Sequence, residues 1–556
     1  VIFVNGVIYT GEGLDRDTPQ TVEAMAVGGG RVLAVGTTVE IKQMAGPKTT
    51  VRDLKGTVVF PGFNDAHTHL GSAGQTKLNV DLTGVPSLEA MQKSVQGYAV
   101  KAEPGHWLTG GNWDHTLWAD KELPTRQDLD KVTGGETGRH PAFLERIDGH
   151  IAIANSAALK AAGITGKTVA PQGGAIDLDG HGEPTGILRE SAKGLVTKVI
   201  PRPSVEDRRR GAEMVMADAL SHGVTSVQDF SDWQDFLVFE EMKKEGKLHL
   251  RISEWLPFKL PVERLVEMRA HHDANDEMLH TGMLKGFMDG SLGSRTAAMK
   301  APYADDPGNT GLPQYKQDEL NRMAQERAQA GFQLGFHAIG DKANAMALEA
   351  LSYAKGVGNN TTCRLFGQKP RPMDEKMNCP WLQHRGRDRI EHAQVVDQGE
   401  IMNFRLEGVI ASMQPNHLLT DMNWAEARLG EKRAGYSYAW KAFLGAGVHL
   451  AFGTDYPVEP VTPFRGLYAA VTRKNEAGTK EYYPENKITR GQALFAYTQG
   501  SAYAEFAESR KGKLAQGYDA DFILVDRDLY TVDAPEILKT VVKETWVAGQ
   551  LAAKQE

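Results

Sequence analysis

Short apolar runs that stop on a polar residue recur along this chain, and helix-like segments separate most of them. The first run covers residues 58–69 and ends Asp65-Ala66-His67-Thr68-His69. Further runs cover residues 223–229, 248–254, 283–289, 332–337, 389–392, 409–414 and 448–455. Amphipathic stretches with helical spacing, such as 205–221 and 318–330, lie between them. Alternating strand and helix predicts a parallel sheet, and eight such units predict a closed (β/α)8 barrel of the TIM type. A barrel enzyme keeps its chemistry at the carboxyl ends of its strands. The polar residues at those ends are His67, His69, Lys285, His337, His392 and Asp455.

Outside the barrel pattern the texture changes. Residues 2–4, 7–9, 24–27 and 31–35 read as short strands, with turn signals at Asn5-Gly6 and Gly28-Gly29-Gly30. Residues 521–525 and 541–547 repeat that texture. Neither terminus holds enough apolar residues for a core alone. Residues 1–56 and 512–556 are therefore expected to build one small composite β-sandwich, leaving 57–70 and 205–511 as the barrel. Residues 71–204 are too many for a barrel loop. They leave the barrel directly after the first strand, which predicts an inserted lid or substrate-shaping subdomain. Within it, 107–111 and 142–146 look like strands. Residues 155–162 look like a helix capped by Asn155 or Ser156.

Composition narrows the picture only slightly. The 556 residues are 41% hydrophobic and 24% charged, ordinary values for a soluble globular protein larger than one domain. The net charge of −8 argues against nucleic acid or an anionic membrane as partner, and no apolar run reaches the length of a membrane span. The expected partner is a small molecule, and a homodimer stays open. The two cysteines, Cys363 and Cys379, share one segment, and Asn359-Asn360-Thr361-Thr362 contains two glycosylation sequons. The cysteines are either two unpaired thiols or a pair suited to an oxidising compartment. The second reading, with a start at Val1 that suits a removed leader or a trimmed chain, slightly favours a secreted or periplasmic protein over a cytoplasmic one.

The chemistry starts from His67-Thr68-His69. In an extended strand i and i+2 share a face, so the two imidazoles can meet one metal ion. With the other strand-end groups, the set resembles the amidohydrolase superfamily. It is most similar to the subgroup called amidohydrolase family three, which includes N-substituted formamide deformylases. The matching segments are residues 61–69, Lys285-Gly-Phe-Met-Asp-Gly-Ser291, His337-Ala-Ile-Gly-Asp341, Arg389-Ile-Glu-His392 and Gly453-Thr-Asp455. Asn5-Gly6 and residues 513–521 also match, so the resemblance covers nearly the whole chain. It implies one or two divalent metals, zinc foremost, bound by His67, His69, Lys285, His337, His392 and Asp455.

The resemblance also implies a mechanism. Lys285 carboxylated on its amine would bridge two metals, whereas a free ammonium has no lone pair to ligate. The competing readings of Lys285 are an ion pair with Asp289 and a charge that polarises substrate. A metal-activated water would attack an amide carbonyl, with Asp455 as proton shuttle. His417 and His150 are candidate catalytic residues, set against helix-capping or surface roles. Trp113, Asp114, Asp148 and Arg295 are candidate substrate-binding residues. The aromatic residues Trp107, Trp113, Trp118, Phe143 and Trp424 could line an apolar pocket or form local cores, and the arginines could equally sit in ion pairs. Other metallohydrolase activities on the same scaffold, such as lactonase, phosphotriesterase or dipeptidase, share this ligand set. A non-catalytic assembly relative is the remaining alternative.

Overall fold

The computed structural model describes residues 1–134, 139–146, 151–171, 174–356 and 387–555. Asp148, His150, both cysteines and the two sequons lie outside the described residues. The chain divides into two compact units, one made of Val1–Gly71 with Val215–Glu556 and the other of Ser72–Met214.

The first unit contains an eight-stranded parallel sheet in strictly sequential order. Its strands are β1 (Phe63–Thr68), β2 (Val224–Asp229), β3 (Arg251–Pro257), β4 (Leu279–Phe287), β5 (Leu334–Ala338), β6 (Arg389–His392), β7 (Ile410–Met413) and β8 (Leu450–Phe452). Bonds just past the strand ends close the sheet. Asp455 donates its N–H to the His67 carbonyl at 2.8 Å, and His69 donates its N–H to the Tyr456 carbonyl at 2.8 Å. The fold is a (β/α)8 barrel. Helices such as Val205–Ser221 and Gln317–Gln329 connect the strands.

The first apolar run splits in a way its pattern does not show. Val58–Pro61 belongs to a different sheet, and the barrel begins only at Phe63. Gly62 marks the passage. A Cβ there would lie 2.3 Å from the Thr225 side chain, so only glycine lets the chain turn this close to β2. Val58–Pro61 pairs with Val7–Tyr9 on one side and Phe522–Val525 on the other. One six-stranded sheet thus draws on both ends of the chain. A four-stranded sheet comes from the N-terminal residues alone. Phe3, Met25, Val59, Phe522 and Trp546 share one apolar cluster, with Phe522 and Trp546 stacked at 5.5 Å.

Ser72–Met214 contains a six-stranded mixed sheet, with Leu108–Trp113 parallel to Ala142–Arg146 and Ala142–Arg146 antiparallel to Ile151–Ala154. Asn155 caps the helix Ser156–Ala161 by accepting the Ala158 N–H at 2.9 Å. No described helix is long and apolar enough to cross a membrane.

Candidate metal centre

Every candidate ligand sits at or just past the carboxyl end of a barrel strand. On β1 the alternation that sends Asp65 inward also sends His67 inward. Asp65 accepts the N–H of His67 at 3.1 Å and of Thr454 at 2.9 Å, and the Thr454 hydroxyl at 2.6 Å. It thereby locks β1 to the chain after β8. Burial pushes its carboxyl up to about 7.

His67 is fully buried, and its Nδ1 lies 2.8 Å from Glu391 Oε2. That contact leaves Nε2 facing the centre, with Lys285 Nζ at 2.8 Å and Asp455 Oδ1 at 3.5 Å. His69 is oriented the same way. Its Nδ1 meets the Phe230 carbonyl at 3.1 Å and its Nε2 meets Asp455 Oδ1 at 3.1 Å. A polar partner on Nδ1 fixes the tautomer and aims Nε2, the usual support for a metal-bound histidine. Asp229 brackets His69, accepting the Thr68 hydroxyl at 2.8 Å and the Leu70 N–H at 2.7 Å.

Lys285 is 2% exposed, and its Nζ lies 5.2 Å from the Trp255 ring and 5.3 Å from the Phe287 ring. Burial pulls its ammonium down to about 8. The ion pair with Asp289 does not form. That carboxylate instead accepts backbone N–H groups of Ala298 at 2.9 Å, Ile339 at 3.1 Å and Gly340 at 2.8 Å. These bonds order the loops after β4 and β5. His337 Nε2 meets the Gly290 carbonyl at 3.0 Å. The His392 ring lies 4.4 Å from that of His337 and 5.0 Å from that of His67. Among the described residues no hydrogen bond reaches the His392 ring, although His392 is only 6% exposed.

Asp455 completes the centre. Its Oδ1 faces His69 and His67, and its Oδ2 lies 3.1 Å from His417 Nε2. Burial opposes its charge, but His67, His417 and His69 outweigh that and hold it well below the usual carboxylate range. The same bond to Asp455 raises His417 against the effect of burial. Burial, with Lys285 adding to it, lowers His67 to about 4 and His337 to about 3. Burial and the neighbouring His337 lower His392 as well. Neutral imidazoles around an ionised carboxylate are the donor set a divalent cation needs. His67, His392 and Asp455 each offer one ligand atom within 4.8 Å of the others. His392 and Asp455 also hold left-handed backbone, with φ of 72° and 60°, a strained state for non-glycine residues that clusters at functional sites.

Other candidates fall elsewhere. Trp113 is fully buried among Leu82, Val95, Leu108 and Leu144 and donates its indole N–H to the Leu144 carbonyl at 2.9 Å. It is a packing residue of its own unit, not a pocket wall. Asp114 accepts the Thr116 N–H at 3.0 Å and an Arg146 N–H at 2.9 Å, capping a short turn. Arg295 is held by Asp305 through Nε at 3.1 Å and a terminal nitrogen at 2.9 Å, which is the ion-pair reading. Sequence reasoning gave Glu391 and Asp229 no role, and weighed Asp289 only as a partner of Lys285. Glu391 had a usable signal. Arg389 and Glu391 alternate on one strand, so two charges face the barrel interior, where their side chains approach to 2.9 Å.

A closed barrel with imidazoles and a carboxylate gathered at the carboxyl ends of its strands defines a metal-dependent hydrolase. The chain belongs to the amidohydrolase family, whose model matches residues 50–553. It is 32% identical to protein LONG AFTER FAR-RED 3 of Arabidopsis thaliana, over 99% of this chain and 91% of that one. It is 27% identical to N-substituted formamide deformylase of Arthrobacter pascens, over 95% and 94% of the two chains. Among solved structures, an uncharacterized metal-dependent hydrolase from Pyrococcus furiosus superposes with a TM-score of 0.77 at 30% identity, covering 95% of this chain and 99% of that one.

Proposed function

We propose that the protein hydrolyses a carbon–nitrogen bond of amide or formamide type in a small-molecule substrate. The observation that carries this reading is the convergence of His67, His69, His337, His392 and Asp455 around Lys285 at the barrel mouth. The deformylase relative supports the choice of bond.

His67, His69 and Asp455 would hold one ion, and His337 and His392 a second. Zinc suits this mixture of imidazole and carboxylate. A divalent ion held there would supply Lewis-acid polarisation of the scissile carbonyl and lower the pKa of a water. Lys285 supports the binuclear version. Burial pulls its ammonium down to about 8 against the opposing pull of Glu391 and Asp455, so a larger share is free amine, the form that takes up carbon dioxide, than in an exposed lysine. The resulting carbamate would present two oxygens where an ammonium presents none. Asp455 accepts the proton of the attacking water and passes it to the leaving nitrogen. His417, whose basicity the bond to Asp455 raises, would donate to the oxyanion that develops on the substrate.

The test combines elemental analysis with a substrate panel. Unchelated protein should carry zinc, and chelation should abolish turnover of amides or formamides until metal is restored. Full turnover by metal-free protein would sink the mechanism. Turnover of lactones or phosphotriesters without any amide would sink the choice of bond. Lys285→Ala should lose the second metal and most activity, and bicarbonate should help reactivate the wild-type apo-protein. Unmodified Lys285 in a fully active, metal-loaded enzyme would refute the carbamate.

A further inference from the structure

Resting on the reading of the barrel mouth as the hydrolytic site, we infer that the substrate carries a flat apolar group, an aryl ring or its equivalent, beside the scissile bond. Phe287 and Phe230 form the wall that receives it. Phe287 ends β4 two residues beyond Lys285, and so shares its face of the strand. Its ring lies 5.3 Å from that of His337 and 5.8 Å from that of Phe230. Phe230, the first residue after β2, lies 6.0 Å from the His69 ring. The two phenyl rings therefore run from one proposed ligand pair to the other.

Three further observations give the wall its chemistry. Phe287 keeps 36% of its surface exposed, whereas Lys285 is buried, so it still has a face to offer. A planar apolar group laid against that face gains both area burial and ring contact. Arg295, on the loop after β4, is not free to take an acidic substituent, because Asp305 occupies its guanidinium. Finally, the sequential strand order sets β4 across the barrel from β8, whose end leads to Asp455. A substrate bridging the mouth from β8 to β4 thus turns its reacting polar atoms to Asp455 and its apolar substituent to Phe287.

The test uses matched probes titrated calorimetrically into metal-loaded protein: benzamide against acetamide, and formanilide against N-methylformamide. Hydrolysis of phenyl and methyl amides and esters is followed alongside. At least one phenyl probe should bind about tenfold tighter than its methyl partner. Phe287→Ala should remove most of that difference with metal content unchanged. If the alanine variant fails to fold, Phe287→Leu reads the same ratio, because it keeps bulk but loses the flat face. Equal affinities within both pairs, or a phenyl preference that survives in the folded Phe287 variant, overturns the wall. Phenyl preference on esters with no amide turnover supports the wall and removes the carbon–nitrogen reading instead.

Discussion

The mouth of the barrel and the core of Ser72–Met214 both bury polar side chains, but they dispose of them in opposite ways. In Ser72–Met214 the groups close on their own neighbours. Asn155 accepts from Ala142 and Ala158 at 2.9 Å each and donates to Thr133 and the His140 carbonyl at 2.9 Å each. The indoles of Trp113 and Trp118 each find a backbone carbonyl. At the barrel mouth, imidazoles with lowered basicity, an ammonium in an aromatic pocket and a carboxylate all point at one another. Buried polar groups that satisfy one another locally stabilise a fold. Buried groups that converge on a shared point, on strained backbone, are arranged for something that binds there.

Substitutions can break that contrast. The largest effect is expected from Asp455→Asn, which keeps the shape but removes the base. Its kcat should fall by roughly two to four orders of magnitude. Metal content must be measured on the same sample, and near-wild-type turnover with metal retained would move the proton role to His392 or His417. Next comes Trp113→Ala, expected to destabilise its unit by about 3–5 kcal/mol. Hydrogen exchange should show lost protection in Leu108–Trp113 and Ala142–Arg146, with metal content unchanged. Wild-type protection there would mean that Trp113 does not support the core. Glu391→Gln weakens the acceptor behind His67 without changing its volume, and metal affinity should drop about 10–100-fold in a chelator competition. Unchanged affinity would make Glu391 a partner of Arg389 alone. Asp114→Ala should do least, loosening one turn and leaving KM untouched. A raised KM would return Asp114 to the substrate side of the comparison.

The barrel was legible because each strand is a short apolar run ending on a polar residue, a pattern that needs no knowledge of distant partners. Strand limits were less so. Residues 248–254 read as a strand, but the ladder runs Arg251–Pro257, because pairing with β2 and β4 decides where it starts. The ligand candidates were legible by position, being polar where the apolar run stops. Trp113 was not, since an aromatic residue in a strand has the same period whether it faces a core or a ligand. The roles of Asp229 and Asp289 were hidden for another reason. Both accept backbone N–H groups, Asp229 with the Thr68 and Ser231 hydroxyls besides, and no side-chain pattern announces a backbone donor.

The bonds that close the barrel come from the candidate ligand residues themselves. The carbonyl of His67 and the N–H of His69 pair with Asp455 and Tyr456, across the junction of first and last strands. The site therefore cannot exist on part of the chain. A nascent polypeptide that has emerged only as far as β7 presents all four histidines but has neither the carboxylate nor the neighbouring strand that β1 needs. Metal captured that early would meet an open sheet and a looser set of donors. Loading of the proposed site would thus be tied to the end of synthesis, and a metal joining β1 to the chain after β8 would act as a clasp on the finished cylinder. Such a clasp slows the parting of the two strands for as long as the ion stays bound.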